Sequence, residues 1–155
     1  MYLNPLDIHY CQDSISNTFS SGANIGDVLD DVCDGRTPLS SFPKIAVNKK
    51  NSKWYTTDNR RLWVFRQLRR LGKCGEIPVV KTGSISSEKM TTNNDGVEIE
   101  VRGGIYGVWF WKPNGAGSNP NGTYACTWPE NSVPVYLHSF KYDNDSDDSD
   151  SDGYL

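Results

Sequence analysis

The sequence predicts an α+β protein, in which a compact β-α-β-β-α-β unit is followed by a strand-rich extension and an acidic tail. The chain has 155 residues, which is the size of one ordinary domain. Two segments repeat apolar residues with a helical period, and short strand-like segments lie between them. The last fourteen residues contain six Asp and no Lys or Arg. We therefore expect one domain over residues 1–141 and a disordered tail over residues 142–155.

The first strand is predicted at residues 6–11, and the first helix begins after Asn24. Asn24 has the short polar side chain that is typical of an N-cap, and Gly35 marks the end of the helix. The residues between the strand and the helix are rich in Ser and predict a loop. Four apolar residues with helical spacing predict the buried face of this helix: Ile25, Val28, Leu29 and Val32.

A hairpin and a second helix complete the predicted unit. Residues 44–48 and 53–56 are the predicted strands of the hairpin, and residues 76–80 are the strand after the helix. The helix runs from about Asn59 to Leu71, between Asp58 and Gly72. Its predicted buried face consists of Leu62, Val64, Phe65, Leu68 and Leu71, with Trp63 at the edge.

The rest of the domain, residues 82–141, is predicted to be rich in strands. The strands are expected at residues 97–102, 105–111, 122–128 and 133–140, with Gly, Pro and Asn turns between them. Residues 106–111 place aromatic side chains on both faces of their strand. That pattern is explained either by burial in the domain core or by a partner surface, which would make the protein a non-catalytic interaction module.

Composition excludes several classes of protein. The apolar runs are far shorter than the roughly 20 residues that span a bilayer, and residues 1–10 lack the basic and apolar regions of a signal peptide. We expect a cytoplasmic or nuclear protein without a membrane partner, whose oligomeric state is open. The four cysteines and two histidines lack metal-site spacing, which argues against zinc and predicts buried, reduced thiols.

The net charge of −3 conceals a basic body, because residues 142–155 carry so much of the negative charge. Without them the chain has an excess of three basic residues. The tail is expected to keep the protein soluble, to shield a basic pocket of the same chain, or to be phosphorylated at Ser146, Ser149 and Ser151.

The start of the second helix carries two arginines that oppose the helix dipole. Arg61 lies in the middle of the apolar arc, so its guanidinium must curl around the helix end or point into a cleft at the strand–helix junction. A bound phosphate would remove the conflict, since first-turn amides and a planar guanidinium both bind phosphate oxygens. Alternatively, Arg60 and Arg61 are solvated or paired with Asp58 and Asp7.

The order of these signals resembles the ParB/sulfiredoxin superfamily over about residues 3–81. In that family a proline-led strand is followed by a hairpin, a signature ending in two basic residues opens a helix, and a short LG…IPV segment ends the unit. The matching segments here are Gly35, residues 43–47 (PKIAV), 58–65 (DNRRLWVF), 71–72 (LG) and 77–79 (IPV).

The resemblance implies a nucleotide-binding protein. In that family the helix-start signature and the loop after the first strand hold the triphosphate of a nucleotide, usually with Mg²⁺. The implied cofactors are ATP or another nucleoside triphosphate, and Mg²⁺. The residues implied to bind the phosphates or the nucleotide are Arg60, Arg61, Lys44, Gln12 and Ser14.

The chemistry that the resemblance implies is that of an ATP-dependent phosphotransferase or ATPase, because phosphoryl transfer requires positioning and charge neutralisation more than a dedicated nucleophile. Asp58, Asn59 and Arg61 are the implied catalytic residues. Asp58 is also the implied Mg²⁺ ligand, with Asp7 and Asp13 as further carboxylates. Family members that reduce cysteine sulfinic acid carry a cysteine at the position of Asn59, so sulfiredoxin activity is excluded.

An alternative function is nucleic-acid binding or nuclease action. A basic surface is predicted on the second helix and its surroundings, with Lys53, Trp54 and Trp63 nearby. Its four main residues are Arg66, Arg69, Arg70 and Lys73. The competing interpretation is an exposed helix face of ordinary arginine content.

Overall fold

The computed structural model describes residues 1–124 and Trp128, and these form a mixed α+β structure. The two helices are α1 (Ile25–Cys33) and α2 (Asn59–Leu71). The strands are β1 (Tyr2–Leu3), β2 (Ile8–Tyr10), β3 (Ser14–Ser16), β4 (Ile45–Lys50), β5 (Lys53–Thr56), β6 (Ile77–Lys81) and β7 (Glu100–Arg102). Short 3-10 helices occur at Pro5–Asp7, Leu39–Ser41 and Trp109–Trp111.

Five strands form the main sheet, in the order β1-β6-β4-β5-β2. The β4–β5 hairpin is antiparallel, whereas β4 pairs parallel with β6 and β5 pairs parallel with β2. The hairpin turn consists of Asn51 and Ser52, both with positive φ (52° and 67°), as a tight two-residue turn requires. A second sheet pairs β3 with β7 in parallel.

The helices begin and end where the sequence predicts. The Asn24 side chain accepts a hydrogen bond from the amide of Gly26, so it caps α1. Helix α2 ends at Gly72, whose left-handed φ of 83° suits glycine. All the residues that predicted the apolar faces of both helices are buried.

The predicted α+β class is confirmed, and so are both helices and the hairpin. The strand before α1 is shorter than predicted, because Pro5–Asp7 forms a 3-10 helix in which Asn4 caps the amide of Leu6. The loop predicted from residue 12 onward contains β3, which was not predicted because its partner β7 lies more than 80 residues away.

The prediction of a strand at residues 105–111 is wrong, because this segment forms no strand. Val108 and Trp109 donate their amides to the carboxylate of Asp30 at 2.9 Å, and Trp109–Trp111 forms a 3-10 helix. A carboxylate that binds consecutive amides competes with strand pairing. Tyr106 and Trp111 are exposed in this segment, at 59% and 68%.

The strand predicted at residues 97–102 is present in shorter form as β7 (Glu100–Arg102). The remaining predicted strands and the tail lie wholly or partly outside the described residues. Residues 133–140, the tail at 142–155 and Cys126 are among them, and the predicted strand at 122–128 is described only in part. Within the described ranges, no helix is long and apolar enough to cross a membrane. Cys11, Cys33 and Cys74 are buried thiols, as predicted.

Candidate functional site

The junction between β4 and α2 contains a buried ion pair. Asp58 accepts a hydrogen bond from the amide of Ala46 at 2.8 Å and pairs with Arg61 at 3.1 Å. Arg61 also donates to the carbonyl oxygens of Pro43 and Lys44, at 3.1 Å each. The Arg61 guanidinium therefore points into the junction, and it stabilises the chain entering β4.

Arg60 is buried as well, on another side of the helix start. It donates a hydrogen bond to the carbonyl of Thr18, and its guanidinium carbon lies 5.7 Å from the ring centre of Phe19. The two arginines predicted to bind phosphate thus bind backbone carbonyls of the loops around α2. Lys44 was also predicted to bind the nucleotide. Its main-chain oxygen is one of the acceptors of Arg61.

The loop after β2 approaches the first turn of α2. Asn59 donates to Gln12 Oε1 at 3.2 Å and accepts the amide of Cys11 at 3.1 Å. Burial raises the pKa of the Cys11 thiol, although its hydrogen bond with Asn59 lowers that pKa in part. Ser14 lies in β3, where its hydroxyl accepts from Arg102 at 2.6 Å.

The carboxylates predicted to bind Mg²⁺ do not converge. Both oxygens of Asp58 have protein donors, one of them a guanidinium whose charge would repel a divalent cation. Asp13 accepts two hydrogen bonds from Asn93, and Asp7 is exposed. Across residues 1–124 and Trp128, no group of three or more metal-ligating side chains is arranged to hold a metal ion. The Asp58 site does not fit Mg²⁺.

A groove of about 680 Å³ runs along the opposite, outer face of α2. Arg66, Arg69 and Arg70 line it, together with the edge of Trp63. The other wall is formed by Tyr10 and by the segment from Val97 to Ile99. Three of the four residues that predicted a nucleic-acid surface therefore line one concave site.

Arg66 and Arg69 keep most of their hydrogen-bonding capacity. Arg66 donates to the carbonyl of Val97 at 3.1 Å, and Arg69 donates to the hydroxyl of Tyr124 at 2.7 Å. Arg66 also contacts the buried Tyr10, whose ring centre is 5.0 Å from its guanidinium carbon and whose hydroxyl it hydrogen-bonds. These bonds leave donors unused, because a guanidinium has five. In that part of the chain neither forms an ion pair with a carboxylate. Their charge is available to an anion.

Arg70 has a different role, because it fixes the segment that closes one end of the groove. It donates to the carbonyls of Phe110 and Lys112 and to the side chain of Asn114, at 2.9 to 3.1 Å. Phe110 in turn stacks on Trp63 at 5.5 Å between ring centres. Trp63, which was predicted at the edge of the apolar face, is buried because Phe110 covers it.

Lys73, the fourth predicted residue, lies beside this end of the groove. Its ammonium is 4.9 Å from the ring centre of Trp109, and the ammonium of Lys112 is 4.2 Å from the same ring. Trp111 is exposed in the same segment. The basic surface therefore continues from the groove onto an aromatic edge.

Lys53 and Trp54, which were predicted near this surface, lie on the β4–β5 hairpin and do not line the groove. Lys53 instead pairs with Asp95, whose carboxylate also accepts the Tyr55 hydroxyl. The hydrogen bond from Lys53, followed by that from Tyr55, lowers the pKa of Asp95. Burial, with Asp95 beside it, raises the pKa of Tyr55 to about 12.

This cluster holds the second wall of the groove. His9 Nδ1 is 2.7 Å from the Asp95 carbonyl oxygen, and the amide of Tyr10 donates to the carbonyl of Gly96 at 2.9 Å. Gly96 has a φ of 73°, and a Cβ there would lie 2.1 Å from the Tyr10 carbonyl oxygen. Only glycine fits this approach. Residues 95–96 are thereby fixed against β2, and Val97 and Glu98 follow them.

Comparison with known proteins finds no matching family model, curated protein or solved structure for this chain.

The residues that the sequence analysis missed come from distant segments. Tyr10, Val97 and Glu98 line the groove, and Tyr124 binds Arg69 at its end. None of them has a local signal, because each meets α2 only through tertiary contacts across some 30 to 55 positions.

Proposed function

We propose that this protein binds single-stranded nucleic acid in the groove along the outer face of α2. The observation that carries the proposal is the pair Arg66 and Arg69, which face one groove with unused donors and without a carboxylate partner in the described part of the chain. Phosphate contacts by arginine supply most of the affinity of such sites.

The shape of the surface favours a strand over a compact anion. Arg66, Arg69 and Arg70 extend about 6 Å along the last turns of α2, and Lys73 follows just beyond the C-cap Gly72. Exposed aromatic rings lie at the same end, with Tyr124 at 40% and Trp111 at 68% exposure. Bases stack on such rings without sequence preference, while basic side chains follow the phosphates. Glu98 provides the only carboxylate among the described lining residues, so the proposal is binding and not cleavage.

The double variant Arg66→Gln, Arg69→Gln tests the proposal with a fluorescein-labelled oligothymidylate of about ten nucleotides. In about 50 mM salt it is expected to bind this probe at least about tenfold more weakly than the unmodified chain does. The dependence of log affinity on log salt should also become shallower by about 1.4, since each lost phosphate contact contributes about 0.7 for a single strand. Fluorescence anisotropy between about 50 and 200 mM salt measures both quantities.

The matched control is Lys50→Gln with Lys89→Gln, which removes the same charge from exposed residues outside the groove. It should change affinity less than about twofold. Glu98→Gln should tighten binding, because it removes a negative charge from the groove wall. Equal losses in the two double variants would mean that net charge alone attracts the oligonucleotide, and the proposed site would be wrong.

A second candidate function is nucleotide binding at the start of α2, in the manner that the ParB/sulfiredoxin resemblance implies. The observation that favours it is the N-cap: the Asp58 side chain makes no hydrogen bond to the backbone amides of the first turn, because its oxygens bind the Ala46 amide and the Arg61 guanidinium. Gln12 lies beside that turn, bound to Asn59. A phosphate there would bind the first-turn amides. No step is assigned to Mg²⁺.

Isothermal titration with ATP, CTP and GTP tests this candidate. We expect binding of at least one of them by about 1 mM, weakened in Arg61→Lys, which keeps the charge but loses the guanidinium geometry. The variant with Arg66→Gln and Arg69→Gln should bind the nucleotide as the unmodified chain does, because those residues lie on the outer face. Absence of heat at about 1 mM would exclude the candidate.

A further inference from the structure

We propose that the acidic segment 142–155 of this same chain docks in the α2 groove and competes with nucleic acid for it. The docking rests on the charges and the path of the chain, and only the competition rests on the proposed function. The segment carries six Asp and no Lys or Arg, at positions 143, 145, 147, 148, 150 and 152. Its carboxylates can neutralise the positive charge of the arginines that line the groove.

The chain leaves the described structure at α2 itself. Tyr124 accepts a hydrogen bond from Arg69 at 2.7 Å, and the guanidinium of Arg69 lies 5.7 Å from the centre of its ring. Trp128 packs against the core, with its ring centre 6.4 Å from that of Phe65 on the same helix. Fifteen positions separate Trp128 from Asp143, which can span about 50 Å when extended. The acidic segment can therefore reach any part of the groove.

The spacing of the acidic residues suits a site built for a polyanion. Asp143, Asp145 and Asp147 alternate with Asn or Ser. Asp148, Asp150 and Asp152 form a second alternating row that begins directly after Asp147, so in an extended chain it lies on the other side. In an extended chain, carboxylates two positions apart lie on one side about 6.8 Å from each other. A row of this kind presents the repeated negative charge that phosphates present in a strand. Because the segment is tethered, its effective concentration at the groove is of millimolar order.

Carbodiimide crosslinking of the chain with residues 142–155 in place, followed by mass spectrometry, tests the docking without any nucleic acid. This reagent joins a carboxylate to an amine only where the two are in contact. At about 50 mM salt, segment 142–155 should crosslink to Lys73 and Lys112, which flank the groove, at least about fivefold more than to Lys50 and Lys89. The preference should disappear in the Arg66→Gln, Arg69→Gln variant.

Two results would overturn the docking. Crosslinks spread evenly over the four lysines would show that the segment has no preferred site. In a mixture of ¹⁵N-labelled and unlabelled protein, crosslinks that join a labelled to an unlabelled peptide would show that a second copy supplies the segment.

The competition is tested by a variant of residues 1–155 in which the six Asp are changed to Asn. It should bind the labelled oligonucleotide about tenfold more tightly than the unmodified chain at about 50 mM salt, and the difference should shrink as salt rises. Crosslinks at Lys73 and Lys112 without oligonucleotide binding would keep the docking and reject the nucleic-acid function. Oligonucleotide binding that is equal in the two proteins would reject the competition and keep that function.

Discussion

Replacing Asp58 with alanine is expected to lower the free energy of unfolding by about 3–5 kcal/mol, the cost of leaving one partner of a buried ion pair alone. The side chains of Asp58 and Arg61 are only 6% and 7% exposed, and the change also removes the acceptor of the Ala46 amide. A loss of this size is a large part of the stability of an ordinary domain. Urea or guanidinium denaturation followed by circular dichroism measures it.

The control is Glu88→Ala, which removes a carboxylate from an exposed position and should change stability by no more than about 0.5 kcal/mol. A double variant with Asp58→Leu and Arg61→Met should cost less than the sum of the two single changes, because no charge is then left buried. If Asp58→Ala costs less than about 1 kcal/mol, the ion pair does not hold β4 against α2.

Gly26→Ala is expected to destabilise the protein by about 1–3 kcal/mol, the range of an overpacked site. The direction is the informative part, since alanine in place of glycine within a helix ordinarily stabilises by about 1 kcal/mol. A Cβ at Gly26 would lie 2.0 Å from the backbone oxygen of Tyr106 and 2.9 Å from Ile105. A backbone oxygen, unlike the end of a side chain, cannot rotate away from the added Cβ. Residues 105–106 must therefore move away from α1. Thermal and chemical denaturation give the sign.

Gly104→Ala is the matched control. A Cβ there would lie 3.4 Å from the nearest atom of the Tyr106 ring, which is an ordinary contact, and Gly104 has no positive φ. Its effect should stay within about 0.5 kcal/mol. A Gly26→Ala variant more stable than the unmodified chain would contradict the packing of residues 105–106 on α1.

The helices were predictable because their signals are local. Asn24 caps α1 and Gly72 ends α2 as the sequence indicates, and the period of the apolar residues identifies both buried faces. The buried position of Arg61 was also predictable, since it lies within the apolar arc of α2. Its partners were not, because Pro43 and Lys44 approach it only when β4 packs beside the helix.

The segment at residues 105–111 shows why local patterns fail elsewhere. Its apolar and aromatic composition is typical of a strand. In the structure the carboxylate of Asp30, nearly 80 positions earlier, takes the amides of Val108 and Trp109, and the backbone turns instead of pairing. Propensity is a weak preference, and two charge-assisted hydrogen bonds outweigh it.

The sequence predicts the side of the groove that α2 forms, but not the wall formed by Tyr10 and residues 97–99. The row of arginines on α2 follows from helical spacing alone, because residues three and four apart share a face. Which of them are available to a ligand depends on the loops: Arg70 is bound by Phe110 and Lys112, while Arg66 and Arg69 keep most of their donors.

By itself, the sequence determined the two helices with their buried faces, the hairpin between them, and the places where basic and acidic side chains are concentrated. These features depend on neighbours within a turn or two of chain, whose chemistry is visible in a short window. Only the tertiary structure decided that Arg60 and Arg61 bind backbone carbonyls and that Arg66 and Arg69 face an open groove. A guanidinium binds the oxygens that folding brings to it, and those oxygens come from segments that no local pattern connects.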